Sequence, residues 1–260
     1  MGAGMARIGI LVVAYNAEST LESVLERIPP GIMAKVEEIF VFDDASPDRT
    51  YEVGKALQQH TAKGKLSIFR NPVNLMYGGN QRRGYQYAIE RGLDIVVLLH
   101  GDGQYAPEVM QDLLTPLETG KAEMVMGSRM LIQGAALRGN MPMYKYIGNK
   151  ILTWIENGLI GTQFSEFHSG YRAYSVHALK TIPLDTLTSN WHFDTQIILE
   201  FLKHGHRIQE VPIPTYYGDE ICHVNGIPYA LNCIRETLKY ALFYRWRMNA
   251  ALPFASRPKK

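Results

Sequence analysis

Apolar runs with almost no alternation punctuate the first hundred residues: Ile8–Ala14, Ile39–Phe42, Leu66–Phe69 and Ile95–Leu99. A short run that stays apolar at every position reads as a strand buried on both faces, as in a parallel sheet. Between these runs the apolar period lengthens. Leu21, Val24, Leu25 and Ile28 recur at helical spacing, Ser19-Thr20-Leu21-Glu22 offers a capping box before them, and Pro29-Pro30-Gly31 stops the helix. Thr50–His60 and Gly78–Arg91 read as two further helices. Strands alternating with helices predict an α/β fold with a mostly parallel central sheet and helices on both faces.

Past residue 100 the pattern is less regular. A helix is expected over Pro107–Thr119, entered through a proline and Glu108, and a short strand over Met124–Arg129. Met130–Asn140 is rich in glycine and reads as a mobile loop that could gate an acceptor. Tyr144–Asn157 is helical, with Ile147, Ile151, Trp154 and Ile155 on one face, expected to pack on the core. Trp191-His192-Phe193-Asp194 opens a helix to Lys203, and His204-Gly205-His206 is its end and turn. Ile208–Tyr217 alternates around two prolines, as an edge strand does. Tyr229–Met248 is a final helix with Leu231, Ile234, Leu238 and Leu242 as its apolar stripe. Residues 1–227 thus read as one domain, and 228–260 as a C-terminal helix and tail, with no internal repeat and no linker.

Each early strand ends in a polar cluster: Tyr15-Asn16-Ala17-Glu18, Asp43 to Asp48, Arg70-Asn71-Pro72 and His100 to Gln104. Ligands of open α/β sheets bind at the carboxyl ends of the strands, so repeated clusters there point to a nucleotide-sized site. Asp102 and Gln104 bring oxygen ligands to one turn, which suits magnesium or manganese. Ala14-Tyr15-Asn16-Ala17-Glu18 replaces the Gly-x-Gly-x-x-Gly of dinucleotide-binding proteins, and neither a Walker phosphate loop nor a glycine-rich basic nucleotidyltransferase loop is present. The phosphates are therefore expected to be neutralised by a metal.

The chain has 260 residues and a formal net charge of +2, which gives no case for nucleic-acid binding. Cys222 and Cys233 make no disulfide framework and read as reduced thiols of a cytoplasmic protein. Met1–Arg7 leads into no signal-peptide core, and no apolar run approaches the roughly 20 residues that span a bilayer. The final helix and tail interleave Arg235, Lys239, Arg245, Arg247, Arg257, Lys259 and Lys260 with Tyr240, Phe243, Tyr244 and Trp246. That mixture suits peripheral contact with the inner face of an anionic membrane, a solvated basic face, or a homodimer contact.

The clusters, in order, resemble family 2 glycosyltransferases of the GT-A fold, in the branch of dolichyl-phosphate mannose synthases and bacterial polyprenyl-phosphate relatives. The carrying residues are Ala14 to Glu18, Asp43 to Thr50, Asn74 to Asn80, Asp102-Gly103-Gln104, Gly127-Ser128-Arg129 and Ser169-Gly170-Tyr171-Arg172. The resemblance implies an inverting, metal-dependent hexosyltransferase that uses a nucleotide-diphosphate sugar and a polyprenyl-phosphate or cell-surface glycan acceptor. It implies a donor pocket from Ala14, Tyr15, Asn16, Glu18, Asp43, Asp44, Gly79, Arg82, Gly101 and Asp102, with Tyr15, Glu18 and Asp43 on base and ribose. Asp102 and Gln104 would hold Mn2+ or Mg2+, and Arg129 and Arg172 would face phosphates. The family's metal motif commonly reads Asp-x-Asp, and His100 stands at the first acidic position. His100 can ligate the metal or hydrogen-bond the donor. The transmembrane tail of many relatives has no counterpart in this sequence.

Inverting transfer to a hydroxyl needs a general base opposite the leaving group. Asp194 is the candidate, with Glu166 second, whereas an ionised phosphate acceptor would need no strong base and would leave Asp194 to contact the sugar. Two other readings compete. A metal-dependent phosphohydrolase using His100 and Asp102 would want more clustered ligands, and His168, His192, His204, His206 and His223 are scattered. A catalytically silent nucleotide-sugar-binding scaffold would explain the lost acid, but not the retention of Asp102, Gln104, Arg129, Arg172 and Asp194.

Overall fold

The structure, a computed structural model, describes residues 6–60, 64–217 and 225–245, without the side chains at 60, 244 and 245. Cys222, His223, Trp246, Arg247, Arg257, Lys259 and Lys260 lie outside the described residues, as do the side chains of Tyr244 and Arg245. The strands are β1 (Ile8–Ala14), β2 (Val36–Asp43), β3 (Leu66–Arg70), β4 (Ile95–His100), β5 (Met124–Ser128), β6 (Arg172–Ser175) and β7 (Ile208–Pro212). They form a seven-stranded sheet in the order β3-β2-β1-β4-β6-β5-β7. β1 pairs in parallel with both β2 and β4, β2 with β3, and β5 with β7, while β6 runs antiparallel between β4 and β5. The parallel α/β expectation holds, with one reversed strand, and β7 is an edge strand.

The helices are α1 (Leu21–Glu26), α2 (Pro30–Lys35), α3 (Thr50–His60), α4 (Met76–Glu90), α5 (Met110–Glu118), α6 (Ala135–Arg138), α7 (Met143–Ile160), α8 (Val176–Leu179), α9 (Phe193–Lys203) and α10 (Gly226–Tyr240). They cover both faces of the sheet and close two cores. One core joins β1, β2 and β4 to α1, α2 and α5 through Ile10, Val12, Leu21, Val97 and Leu113. The other packs Leu11, Phe40 and Leu98 against Tyr85, Phe193 and Ile197 of α4 and α9. Successive residues of β1 alternate between these cores, which is why the run is apolar at nearly every position.

Four expectations are corrected. Thr20 caps no backbone amide; its hydroxyl donates instead to the Gly101 carbonyl at 2.7 Å, tying the start of α1 to the turn after β4. Pro29-Pro30-Gly31 ends one helix and starts the next, because proline fits a first helical turn. Met130–Asn140 is anchored: Ala136 of α6 is buried with Met130 and Met141, and Gly139 accepts from the Tyr217 amide at 3.1 Å. The fourth concerns α7, whose Ile147, Ile151 and Trp154 do not pack on the core but stand exposed, Trp154 by 76%. On α10, Leu231 and Leu238 likewise face outward, as does Leu242 in the π-helical turn that follows, and the buried side chains of α10 are Cys233 and Thr237. A period of 3.6 identifies an apolar stripe without saying what it faces.

Gly84 lets α4 approach β1. A Cβ there would stand 2.3 and 2.4 Å from the two methyls of Leu11, which is fully buried. Alanine gains about 1 kcal/mol of helix propensity, but overpacking a strand side chain costs about 1–3 kcal/mol. Gly84→Ala should therefore lower the urea midpoint; an unchanged or higher midpoint would mean that Leu11 moves aside freely.

Candidate active site

The parallel register aligns the carboxyl ends of four strands. Ala14 lies opposite Asp43, Asp43 opposite Arg70, and Val13 opposite His100. The ladders then run on into the loops, through Asp44 N to Ala14 O, Asn71 N to Asp43 O, and Gly101 N to Val13 O, at 2.8–2.9 Å. The polar clusters are thereby laid side by side on one edge.

Side chains stitch these loops together. Asn16 N donates to Ser46 Oγ at 3.0 Å, Ala17 N to Thr50 Oγ1 at 2.8 Å, and Glu18 N to Asp48 Oδ2 at 3.1 Å. Glu18 accepts from the Arg49 amide at 3.1 Å. Asp44 accepts from Asn71 Nδ2 and from Leu75 N, both at 2.8 Å, and Asn71 also donates to Asn80. Burial pushes the Asp44 carboxyl above its ordinary range, against these hydrogen bonds. Asp43 is fully buried, and one of its oxygens accepts from Ser46 N; the other lies 3.4 Å from Arg70 Nε without a hydrogen-bond partner. Tyr15 is half exposed above this floor. Asn16, Ala45 and Met76, all on the rim, hold φ of 54°, 55° and 66°. Left-handed backbone at residues other than glycine gathers where loop geometry is over-determined.

After β4 the chain turns through Gly103, at φ 77°. Asp102 is exposed, and one of its carboxylate oxygens accepts from Gln104 N at 3.0 Å. Gly101 is pinned by Thr20 and buried against Ala14. His100 points inward. Its ring meets Tyr77 and Tyr105 edge-on, and Nε2 is buried without a hydrogen-bond partner. Burial pushes the imidazole below its ordinary 6.5, with Asp102 and Asp194 opposing, so it is neutral at pH 7. A Cβ at Gly170 would stand 2.8 Å from both His100 Nε2 and the Tyr77 hydroxyl, so only glycine leaves that corner open.

Asp194 opens α9 as expected, but it is buried. Tyr77 donates to Oδ2 at 2.7 Å, and Gln81 approaches Oδ1 at 3.4 Å. Tyr77 stacks on Trp191 with ring centroids 4.7 Å apart. Arg172 has no exposure. It donates to the carbonyls of Ser169, Asp194 and Phe167 at 2.8–2.9 Å and lies 3.5 Å from Asp194 Oδ2. Burial alone would lower the guanidinium's pKa; Asp194 and the surrounding tyrosines more than offset it. Arg129 is paired with Glu166 through its side chain and its backbone amide, and reaches Tyr217 at 3.1 Å. Asn149 of α7 donates to the same Glu166 at 2.8 Å.

The structure thus brings Tyr15, Glu18, Asp43, Asp44, His100 and Asp102 to one edge, with Asn16 and Gly101 shaping the backbone. Gly79 adjoins this edge through Leu75, whose amide donates to Asp44, while Arg82 lies further along α4. Gly79 packs near Ser189, and Arg82 donates to Leu187 O and Ser189, bracing the segment before Trp191. Sequence reasoning placed Asn71 in a strand-end cluster and Tyr77 in a turn expected to shape the donor pocket, and assigned no individual role to them, to Gln81 or to Trp191. Tyr77 lay inside the Asn74–Asn80 motif, and Trp191 beside Asp194, but only tertiary contact joins them.

Glu166 has a defined electrostatic role. Burial raises its pKa, yet Arg129 and Asn149 hold it below its ordinary 4.5. A depressed carboxylate contributes stability above its unfolded pKa, and that contribution is lost as pH falls through the folded value. Glu166→Gln should cost about 3–5 kcal/mol at pH 7, because Arg129 is left buried without its counterion. It should also flatten the stability profile below about pH 4.5. Urea unfolding at several pH values checks both; equal acid sensitivity in variant and wild type would contradict the assignment.

The chain matches the model of glycosyl transferase family 2 over residues 9–182. It is 29% identical to the UDP-N-acetylglucosamine–dolichyl-phosphate N-acetylglucosaminyltransferase of Methanococcus voltae, over 82% of this chain and 86% of that one. It is 28% identical to the undecaprenyl-phosphate mannosyltransferase of Micrococcus luteus, over 80% of this chain and 82% of its relative. Among solved structures it resembles glucosyl-3-phosphoglycerate synthase of Mycobacterium tuberculosis in complex with Mn2+, UDP and phosphoglyceric acid. The TM-score is 0.67 at 18% identity, covering 91% of this chain and 78% of that one. A fold of this topology, four strand-end loops gathered on one edge and a family match across most of the sheet leave one conclusion: the chain belongs to glycosyl transferase family 2.

Proposed function

We propose that this protein transfers a sugar from a nucleoside-diphosphate sugar to the phosphate of a polyprenyl phosphate at a membrane surface, with inversion. The observation that carries the reading is the pairing of the loop edge with an exposed apolar face on α7 and α10. Met143, Tyr144, Ile147, Ile151 and Trp154 of α7 share that exposure with Ile227, Leu231, Leu238 and Leu242 of α10 and the following turn. Monomeric soluble proteins rarely expose so much contiguous apolar surface without a partner for it. Lys150, Arg235 and Lys239 are exposed on the same two helices, which suits anionic lipid. Asn149 links α7 to Glu166 and so to Arg129, so a lipid-seated helix adjoins the polar edge. The two relatives named above are called transferases to dolichyl or undecaprenyl phosphate. No helix among the described residues is long and apolar enough to cross a membrane.

Tyr15, Glu18 and Asp43 take the base and ribose, with Asp43's unpartnered oxygen turned to that task. The residues present fit a divalent cation: an exposed carboxylate at Asp102, Gln104 in the same turn with its backbone amide on that carboxylate, and an orphaned nitrogen on His100. Asp102 and Gln104 would hold Mn2+ or Mg2+, which neutralises charge on the leaving diphosphate. An ionised phosphate acceptor needs no base. Asp194, already paired with Tyr77 and Arg172, is then a positioning residue that aims the Tyr77 hydroxyl. Arg172 holds the Phe167–Ser169 loop rather than touching phosphate, and Arg129 is held in its pair with Glu166, which Asn149 ties to α7.

Thermal shifts with UDP-, GDP-, dTDP- and CDP-sugars, with and without manganese, test the donor half. A ligand at 100 times its dissociation constant adds about 2.7 kcal/mol of stability. One nucleotide class should stabilise the wild type only with manganese, and Asp102→Ala should lose the effect. Incubation with that donor and undecaprenyl phosphate should move the sugar into a solvent-extractable lipid. Binding without transfer would favour a silent nucleotide-sugar-binding scaffold, and no binding would overturn the reading.

The membrane half has its own test. Ile151→Asp with Trp154→Asp should reduce co-flotation with anionic vesicles about tenfold or more. Unchanged flotation, with a wild-type dimer in gel filtration that the variant loses, would assign the face to a second copy instead.

A further inference from the structure

Away from the donor edge, three residues distant in sequence converge beneath α7 and α10. Glu156 of α7, His168 of the loop before β6 and Cys233 of α10 place potential ligand atoms all within 4.8 Å of one another. Glu156 has no exposure, and neither of its carboxylate oxygens has a hydrogen-bond partner. A buried carboxylate left bare is unstable unless a cation meets it.

The surrounding hydrogen bonds set the polarity of the cluster. Cys233 Sγ accepts from Thr195 Oγ1 at 3.2 Å and is also bonded to Tyr229. With the Tyr229 proton turned to sulfur, its oxygen accepts from His168 Nδ1 at 3.0 Å. His168 Nε2 is then a bare lone pair, buried without a hydrogen-bond partner and 3.2 Å from Glu156 Oε2. Two acceptors facing each other in a dry interior repel unless a cation lies between them. A metal-bound histidine has this arrangement, one nitrogen ligating and the other held by a fixed partner, and a ligating thiolate accepts hydrogen bonds from its neighbours.

We propose that Glu156, His168 and Cys233 bind a zinc ion, with its fourth position left to water, and that the ion ties α7 and α10 to the loop preceding β6. Nitrogen, sulfur and carboxylate oxygen together suit zinc and not the hard cations of the donor edge. The site also has a purpose in the architecture. Phe167 and Ser169, on either side of His168, supply carbonyls that hold Arg172, so the ion would link the two outer helices to that arginine. A doubly protonated imidazolium beside Glu156 is the competing account of the same atoms.

Metal analysis separates the two. The full chain, expressed with zinc and dialysed against a metal-scavenging resin, should retain about one zinc per chain. Cobalt substitution should give a thiolate-to-metal charge-transfer band. Cys233→Ser, His168→Gln and Glu156→Gln should lose the ion, while Cys222→Ser should keep both ion and band. If Cys233→Ser fails to fold, Glu156→Gln, which preserves shape, carries the comparison, with circular dichroism confirming its fold. Wild-type protein that is folded yet holds no zinc, gains no thermal stability from added zinc and shows no cobalt band would overturn the proposal. Zinc retained undiminished in folded His168→Gln and Glu156→Gln would place the ion elsewhere and overturn it equally.

Discussion

A guanidinium sealed from water at the start of a strand is the constraint on which this molecule turns. Arg172 cannot be solvated, so every proton it carries must find an acceptor inside the protein. Ser169 and Phe167 contribute carbonyls from the loop before the strand, and Asp194 contributes a carbonyl and a nearby carboxylate from the first turn of α9. Satisfying one cation thereby fixes a loop, a helix start and, through Asp194, the orientation of Tyr77. Tyr77 in turn is clamped by Trp191 and bounds the corner that Gly170 leaves open. Each of the partners that Arg172 has in the structure lies within the protein.

Much of the sheet was legible because burial on two faces leaves an unambiguous trace. The runs at Ile8, Leu66 and Ile95 became β1, β3 and β4 to within a residue, and the run at Ile39 is the middle of a longer β2, Val36–Asp43. Their polar ends were legible for the same reason, since a parallel sheet aligns carboxyl ends and Asp43, Asp102 and Tyr15 had nowhere else to go. The second half was harder. β6 is only four residues long and its direction depends on the partner it meets, which no local pattern records.

The misreadings share a cause: each depended on a partner that periodicity does not name. The stripe on α7 had the spacing of a core face and turned outward, because α7 lies outside the sheet's packed layers and contacts the domain through Leu152, Thr153 and Glu156 instead. Thr20 had the sequence of a cap and gave its proton to Gly101, eighty-one residues away. Arg129 and Arg172 were placed on phosphates by the family resemblance, and their burial against Glu166 and Asp194 is visible only once the chain is folded. The histidines looked scattered because spacing along the chain says nothing about His168 meeting residues from α7 and α10.

The reversal of β6 has an evolutionary consequence. Because it runs against β4, with Arg172 opposite Leu98, its first residue arrives at the same edge where β1 to β4 finish. The chain therefore builds that edge twice, once with strand ends and once with a strand beginning, from segments that share few covalent neighbours. Loops after β1 to β4 can drift under selection for one small molecule while the Phe167–Asp194 region drifts under selection for another. The two meet at Tyr77, which bonds Asp194 and stacks on Trp191, so a change on one side of the edge must be accommodated by the other across that joint.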